Sequence, residues 1–71
     1  MGNGYPLMLP WQERVVQEKK ELDTKIEYLM EWRRGLRFDS LADGEKFRLQ
    51  MQLDIMEIYS DMLGERIRYF E

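Results

Sequence analysis

A chain of 71 residues with no cysteine and no histidine forms one domain at most, without disulfides, thiolate metal ligands or the commonest general base. Its net charge of −3, with 35% charged residues, suits a soluble protein and argues against a surface built to grip nucleic acid. Chains this short bury little surface, so association with copies of itself is the staple left to it.

Residues 1–9 hold Gly2, Gly4 and Pro6 beside Tyr5, Leu7, Met8 and Leu9. The glycines and proline break regular helix, while the side chains are too apolar for a solvated tail, so an extended arm is expected, lying over its own or a neighbouring hairpin. The N-terminus lacks the basic start and apolar core of a signal peptide. Met1-Gly2 opens like a myristoylation motif, but Pro6 stands where that motif needs Ser or Thr. No apolar run approaches the ~20 residues of a membrane span, and the expected location is the cytoplasm.

Pro10 suits a first helical turn, and a helix is expected over about 10–35, with Val15, Leu22, Leu29 and Leu36 in its seam and Ile26 in the alternate position. Gly35 is a stop, and Arg33, Arg34 and Arg37 complement the negative end of the helix dipole. A loop over 36–42 leads to Asp43 as N-cap and to a second helix over about 43–70. That helix reads as apolar on two adjacent faces. One is Leu49, Met56, Leu63 and Phe70; the other is Phe47, Met51, Ile55, Ile58 and Met62, continued by Tyr69. The fold class is therefore all-α, an antiparallel two-helix hairpin, and the second stripe, more than a lone hairpin can hide, predicts a homo-oligomeric helical bundle with Phe47, Met51, Ile55, Ile58 and Met62 as the interface.

Folding the hairpin pairs positions whose numbers sum to about 78. Apolar layers (Leu29 with Leu49, Leu22 with Met56, Val15 with Leu63) then alternate with layers in which Ile26 meets Gln52, Lys19 meets Tyr59 and Gln12 meets Arg66. The polar layers gather at the open end, flanked by Arg14, Glu18, Trp11 and Tyr69. Polar residues in a helical seam commonly set register and oligomer state. The same set, Trp11, Gln12, Arg14, Glu18, Lys19, Gln52, Tyr59, Arg66 and Tyr69, also offers cations, aromatic planes and amides to a small anionic ligand carrying a base, in a pocket between hairpins.

Other clusters carry less. Asp54, Glu57, Asp61 and Glu65 form an acidic stripe that reads as a solvated face, so no metal is expected. Trp32, Arg33, Arg34, Arg37 and Phe38 mix basic and aromatic groups as single-strand binders do, but sit at a helix end in an acidic chain. Ser40, Ser60 and Thr24 are the hydroxyl nucleophiles, with only lysine and carboxylates to activate them; neither enzymatic activity nor a cofactor is expected.

Gln12, Arg14, Val15, Glu18, Lys19, Glu21, Leu22, Asp23, Lys25, Ile26 and Leu29, then Phe38 and Leu41, then Gln52, Met56, Tyr59, Leu63, Arg66 and Ile67 resemble a family of small uncharacterised phage helical-hairpin proteins first noted in crAss-like phages, over residues 12–67. Trp32, the Arg33–Arg34 pair, and Ala42 with Gly44 depart from that pattern and put the start of the second helix in doubt. The resemblance implies a phage accessory protein acting in the cytoplasm of an infected bacterium. Small proteins of that kind often counter host defence, and some sequester nucleotide immune signals such as cyclic oligonucleotides or cyclic ADP-ribose species in pockets between subunits. Sequestration needs affinity and abundance but no catalytic group. On that expectation Arg14, Lys19 and Arg66 meet phosphate and Tyr59 or Trp11 stacks on the base. The competing expectation is a protein-binding module whose apolar stripe docks on a host defence or regulatory protein.

Overall fold

The computed structural model describes residues 8–70. Of the arm expected over residues 1–9, only Met8 and Leu9 fall within the described residues. Two long helices, α1 (Pro10–Arg33) and α3 (Asp43–Arg68), pack against each other, and a single turn, α2 (Leu36–Asp39), lies in the connection where a plain loop was expected.

Helix α1 starts where the chemistry of Pro10 and Gln12 directs it. Leu9 is extended (φ −71°, ψ 153°), Pro10 takes the first helical position, and the Gln12 Oε1 accepts the Leu9 backbone N–H at 2.9 Å. Gln12 is buried in doing so, at 6% exposure. At the closed end, Gly35 is the extended N-cap of α2. Trp32 and Phe38 then meet edge to face, with ring centroids 6.2 Å apart, and Lys46 Nζ lies 5.9 Å from the Phe38 ring centre. Ala42, extended at φ −63° and ψ 152°, is the N-cap of α3, which puts Asp43 one position later than the cap expected from the sequence. Its carboxylate still lies in the first turn, where it favours the helix dipole. At the open end Trp11 meets Phe70 edge to face at 5.2 Å.

The core is thin and runs along the seam: Val15 and Ile26 on α1, Leu53 and Leu63 on α3, the last fully buried. On α3 the seam follows Leu49, Leu53, Met56, Ser60, Leu63 and Ile67, alternating steps of four and three; on α1 it follows Gln12, Val15, Lys19, Leu22, Ile26, Leu29 and Arg33. This corrects the alternate layers by one residue. Leu53, Ser60 and Ile67, not Gln52, Tyr59 and Arg66, face α1. A step of one residue is ~100° around a helix, so Gln52, Tyr59 and Arg66 stand on an edge of the hairpin. The relation of the two apolar faces changes as well. Phe47, Met51, Ile55, Ile58 and Met62 are 44–67% exposed, and this stripe lies roughly 160° from the seam centre. The faces are nearly opposite, and α1 covers just one of them.

Candidate functional site

Of the nine residues expected to form a ligand site, the structure places six along one edge of the hairpin. Glu18 reaches across to Tyr59, whose hydroxyl donates to the Glu18 carboxylate. Trp11, four-ninths exposed, lies on the same edge against Phe70, and helical geometry puts Arg14 beside Glu18 and Arg66 two turns beyond Tyr59. Gln52 lies two turns toward the closed end on the same line. Arg48 and Lys25 are also on this edge, which therefore carries Arg14, Lys25, Arg48 and Arg66 against Glu18, Glu21 and Glu45, the last paired with Arg48 at 3.0 Å. Among the described residues Arg14 and Arg66 form no ion pair. The Glu18 carboxylate, accepting the phenol's hydrogen bond, holds the Tyr59 pKa above its ordinary value, with smaller contributions from burial and the Glu18 charge; Arg66 pulls the other way.

The remaining three leave this edge. Gln12 is spent on the start of α1. Tyr69 follows the end of α3 and is 71% exposed, with the Arg68 guanidinium 5.9 Å from its ring centre. Lys19 turns the other way, into a network that also takes in Ser60 and Asp23. Its ammonium donates to the Ser60 hydroxyl at 2.7 Å and to the Ser60 carbonyl at 3.1 Å, and lies 3.3 Å from the Asp23 carboxylate. The Ser60 hydroxyl in turn donates to Asp23. That hydrogen bond, opposed in part by desolvation and helped by Lys19, holds the Asp23 pKa below the usual carboxylate value.

In the Lys19–Ser60–Asp23 network the serine is 5% exposed, its oxygen accepts from the Lys19 ammonium, and its proton is directed at the Asp23 carboxylate. The arrangement satisfies the polar atoms of one seam layer, and no buried side-chain nitrogen or oxygen among the described residues is left without a partner. Sequence reasoning missed Ser60 and Asp23 here, although the four-three spacing through Leu53, Met56, Ser60 and Leu63 places Ser60 in the seam opposite Lys19.

Beyond that network the second edge is acidic: Asp23, Glu57 and Asp61 line an open concavity with Ile26 and Ser60. No group of three or more Asp or Glu side chains among the described residues is disposed to hold a metal ion. No described helix is long and apolar enough to cross a membrane. Arg14, Arg48 and Arg66 thus gather with aromatics on the first edge, and Asp23, Glu57 and Asp61 gather on the second, which also carries Lys20 and Arg68.

The Sequestin family model matches residues 9–69, nearly the whole described hairpin, and the chain belongs to that family. No curated protein and no solved structure matches.

Proposed function

We propose that this protein binds a compact anionic ligand of the nucleotide class, a cyclic oligonucleotide or cyclic ADP-ribose-type signal, and sequesters it without cleaving it. The observation that carries this reading is the arginine-and-aromatic edge, where Arg14 and Arg66 stand without ion pairs beside Tyr59 and Trp11. Guanidinium groups match phosphate oxygens through paired hydrogen bonds, and aromatic planes accept a base by stacking. The family name, Sequestin, speaks of sequestration. The phage resemblance supplies the setting, a counter-defence protein working in the cytoplasm of an infected bacterium. In this reading the phosphate contacts fall to Arg14 and Arg66, and Lys19, whose ammonium meets Ser60 and Asp23, supports the hairpin beside them. One edge alone is a shallow surface, and the pocket is enclosed when copies assemble.

Native mass spectrometry with a panel of cyclic dinucleotides, cyclic trinucleotides and ADP-ribose derivatives tests the proposal. The expected result is an oligomer that gains intact ligand mass and releases the ligand unchanged on denaturation. Tyr59→Ala and Arg66→Ala are each expected to weaken binding at least tenfold, the loss of about 1.4 kcal/mol, in a folded protein. If both alanine variants bind like the parent, the edge is not the site.

A second reading draws on the exposed stripe Phe47, Met51, Ile55, Ile58 and Met62, which would suit a helix or groove of a host protein. Under that reading the purified chain is monomeric and gains no ligand mass.

A further inference from the structure

The exposed stripe of α3 is flanked by charges of opposite sign, and this fixes how a second copy can lie on it. Around the helix the stripe has Asp54 and Asp61 on one side, with Glu57 just beyond and the Glu65–Arg68 ion pair closing its C-terminal end. On the other side are Arg48, Gln52, Tyr59 and Arg66. Two helices that pack along a common stripe in the same direction bring the left flank of one against the right flank of the other. Packed in opposite directions, they bring like flanks together. Parallel packing therefore sets carboxylates against guanidinium groups, whereas antiparallel packing sets Asp54 and Asp61 against their own copies and Arg66 against the partner's cationic flank.

We infer that the chain associates with a second copy of itself through α3 against α3 in parallel, with Asp61 of one copy facing Arg66 of the other. The five-residue offset is the one at which flanking residues meet across a parallel helix pair. Among the described residues neither Asp61 nor Arg66 has an ion-pair partner within its own chain. The fractional exposure of Phe47, Met51, Ile55, Ile58 and Met62 corresponds to roughly 500 Å² of each copy, or about 1,000 Å² in the pair when fully covered and before the flanks are added, which meets the threshold of about 1,000 Å² for a specific interface. An open apolar groove lined by Phe47, Met51, Gln52 and Ile55 supplies a hole for a side chain of the facing helix.

This interface bears on the proposed ligand site. Gln52, Tyr59 and Arg66 form the part of the arginine-and-aromatic edge that borders the stripe, so a parallel partner raises a second wall beside them, carrying its own Asp54 and Asp61. A guanidinium has five N–H donors in a fixed fork, so Arg66 held by the partner's carboxylate keeps donors directed at the edge. In that arrangement the site is incomplete in one chain. The inference concerns α3 pairing and stands or falls apart from the ligand reading.

Disulfide trapping tests it directly, because the chain has no cysteine of its own. In a parallel pair each of the single variants Met51→Cys, Ile58→Cys and Met62→Cys is expected to cross-link to its own copy under mild oxidation, since the same position meets itself along the whole stripe. Antiparallel packing would instead link Met51→Cys to Ile58→Cys, and Phe47→Cys to Met62→Cys, in mixtures of variants and leave each alone unlinked. That pattern, or a monomer by native mass spectrometry at micromolar concentration, would overturn the inference. A charge exchange gives a second readout. Asp61→Arg and Arg66→Asp are each expected to raise the dissociation constant about tenfold through two lost pairs and new repulsion, and the double exchange to restore it. A double variant as weak as the sum of the singles would also refute the pairing. Parallel cross-links without nucleotide binding would leave the interface standing and remove the proposed function; nucleotide binding by an antiparallel pair would do the reverse.

Discussion

Replacing Ser60 by alanine tests whether the polar layer at Lys19 holds the hairpin in register or merely tolerates a misplaced hydroxyl. The variant removes the oxygen that accepts from Lys19 at 2.7 Å and the donor directed at Asp23, while Lys19 keeps the Ser60 carbonyl at 3.1 Å and the Asp23 carboxylate at 3.3 Å. Hydrogen bonds to charged groups contribute about 1.5–3 kcal/mol each, neutral ones about 1. The lysine and aspartate side chains are 30% and 45% exposed, so water replaces part of what is lost, and the expected destabilisation at pH 7 is about 1–2 kcal/mol in total. The pH dependence follows from Asp23, which binds its proton more weakly folded than unfolded. Its contribution is complete above the unfolded carboxylate pKa of about 3.9 and is lost as pH falls through the lower folded value. The gap between parent and Ser60→Ala is therefore widest at neutral pH and narrows in strong acid, once pH falls through the lower folded value and both proteins lose the Asp23 interactions. Urea unfolding followed by circular dichroism at neutral pH and in strong acid, at one fixed protein concentration, measures it. A deficit under about 0.3 kcal/mol at pH 7, or one unchanged in acid, would refute the assignment.

Leu63→Ala, at a fully buried position, is expected to cost about 2–4 kcal/mol and to lower the urea midpoint sharply; Leu36→Ala, 86% exposed in the chain, should leave the midpoint nearly unchanged. Gly64→Ala should stabilise the protein by about 0.5–1 kcal/mol through helix propensity, because the added Cβ would meet only the end of the Lys19 side chain, its Cε at 3.5 Å and its Nζ at 3.8 Å, both ordinary contacts; a lowered midpoint would show that Lys19 cannot yield. Glu18→Gln is expected to bring the Tyr59 titration, followed by tyrosinate absorbance, down toward the ordinary phenol value, whereas an unmoved midpoint would mean that the Glu18 hydrogen bond is not formed in solution.

The hairpin's two long helices were legible because Val15, Leu22, Ile26 and Leu29 recur at helical spacing and Pro10 and Gly35 punctuate it. Leu49, Met56 and Leu63 were equally plain as a core line, and the exposed stripe from Phe47 to Met62 announced itself by being surplus. The alternate layer on α3 was read one residue early, at Gln52, Tyr59 and Arg66, because a line of three at seven-residue spacing fits either of two neighbouring positions when just one face is in view. The alternation of four and three through Leu53, Ser60 and Ile67 resolves it, but needs Ser60 to be accepted in a core line. That acceptance comes from Lys19 opposite, which is a property of the pair and not of either helix. Gln12 was similarly hidden: its amide is used by the backbone of Leu9, and a capping glutamine three residues after the cap looks like any other helical glutamine unless the cap is a polar residue that signals it.

An α3 that is apolar on both broad sides leaves the solubility of the protein to two narrow edges. Both edges carry charges of each sign, and the sequence pI is about 5.0. Near that pH the net charge of the chain approaches zero, and the repulsion that holds copies apart in solution vanishes. The protein should therefore be least soluble just above the acid limb of its stability, so that mild acidification precipitates folded chains before it unfolds them. Its handling in the laboratory, and its accumulation in any acidified compartment, would be limited by colloidal behaviour and not by the strength of its thin core.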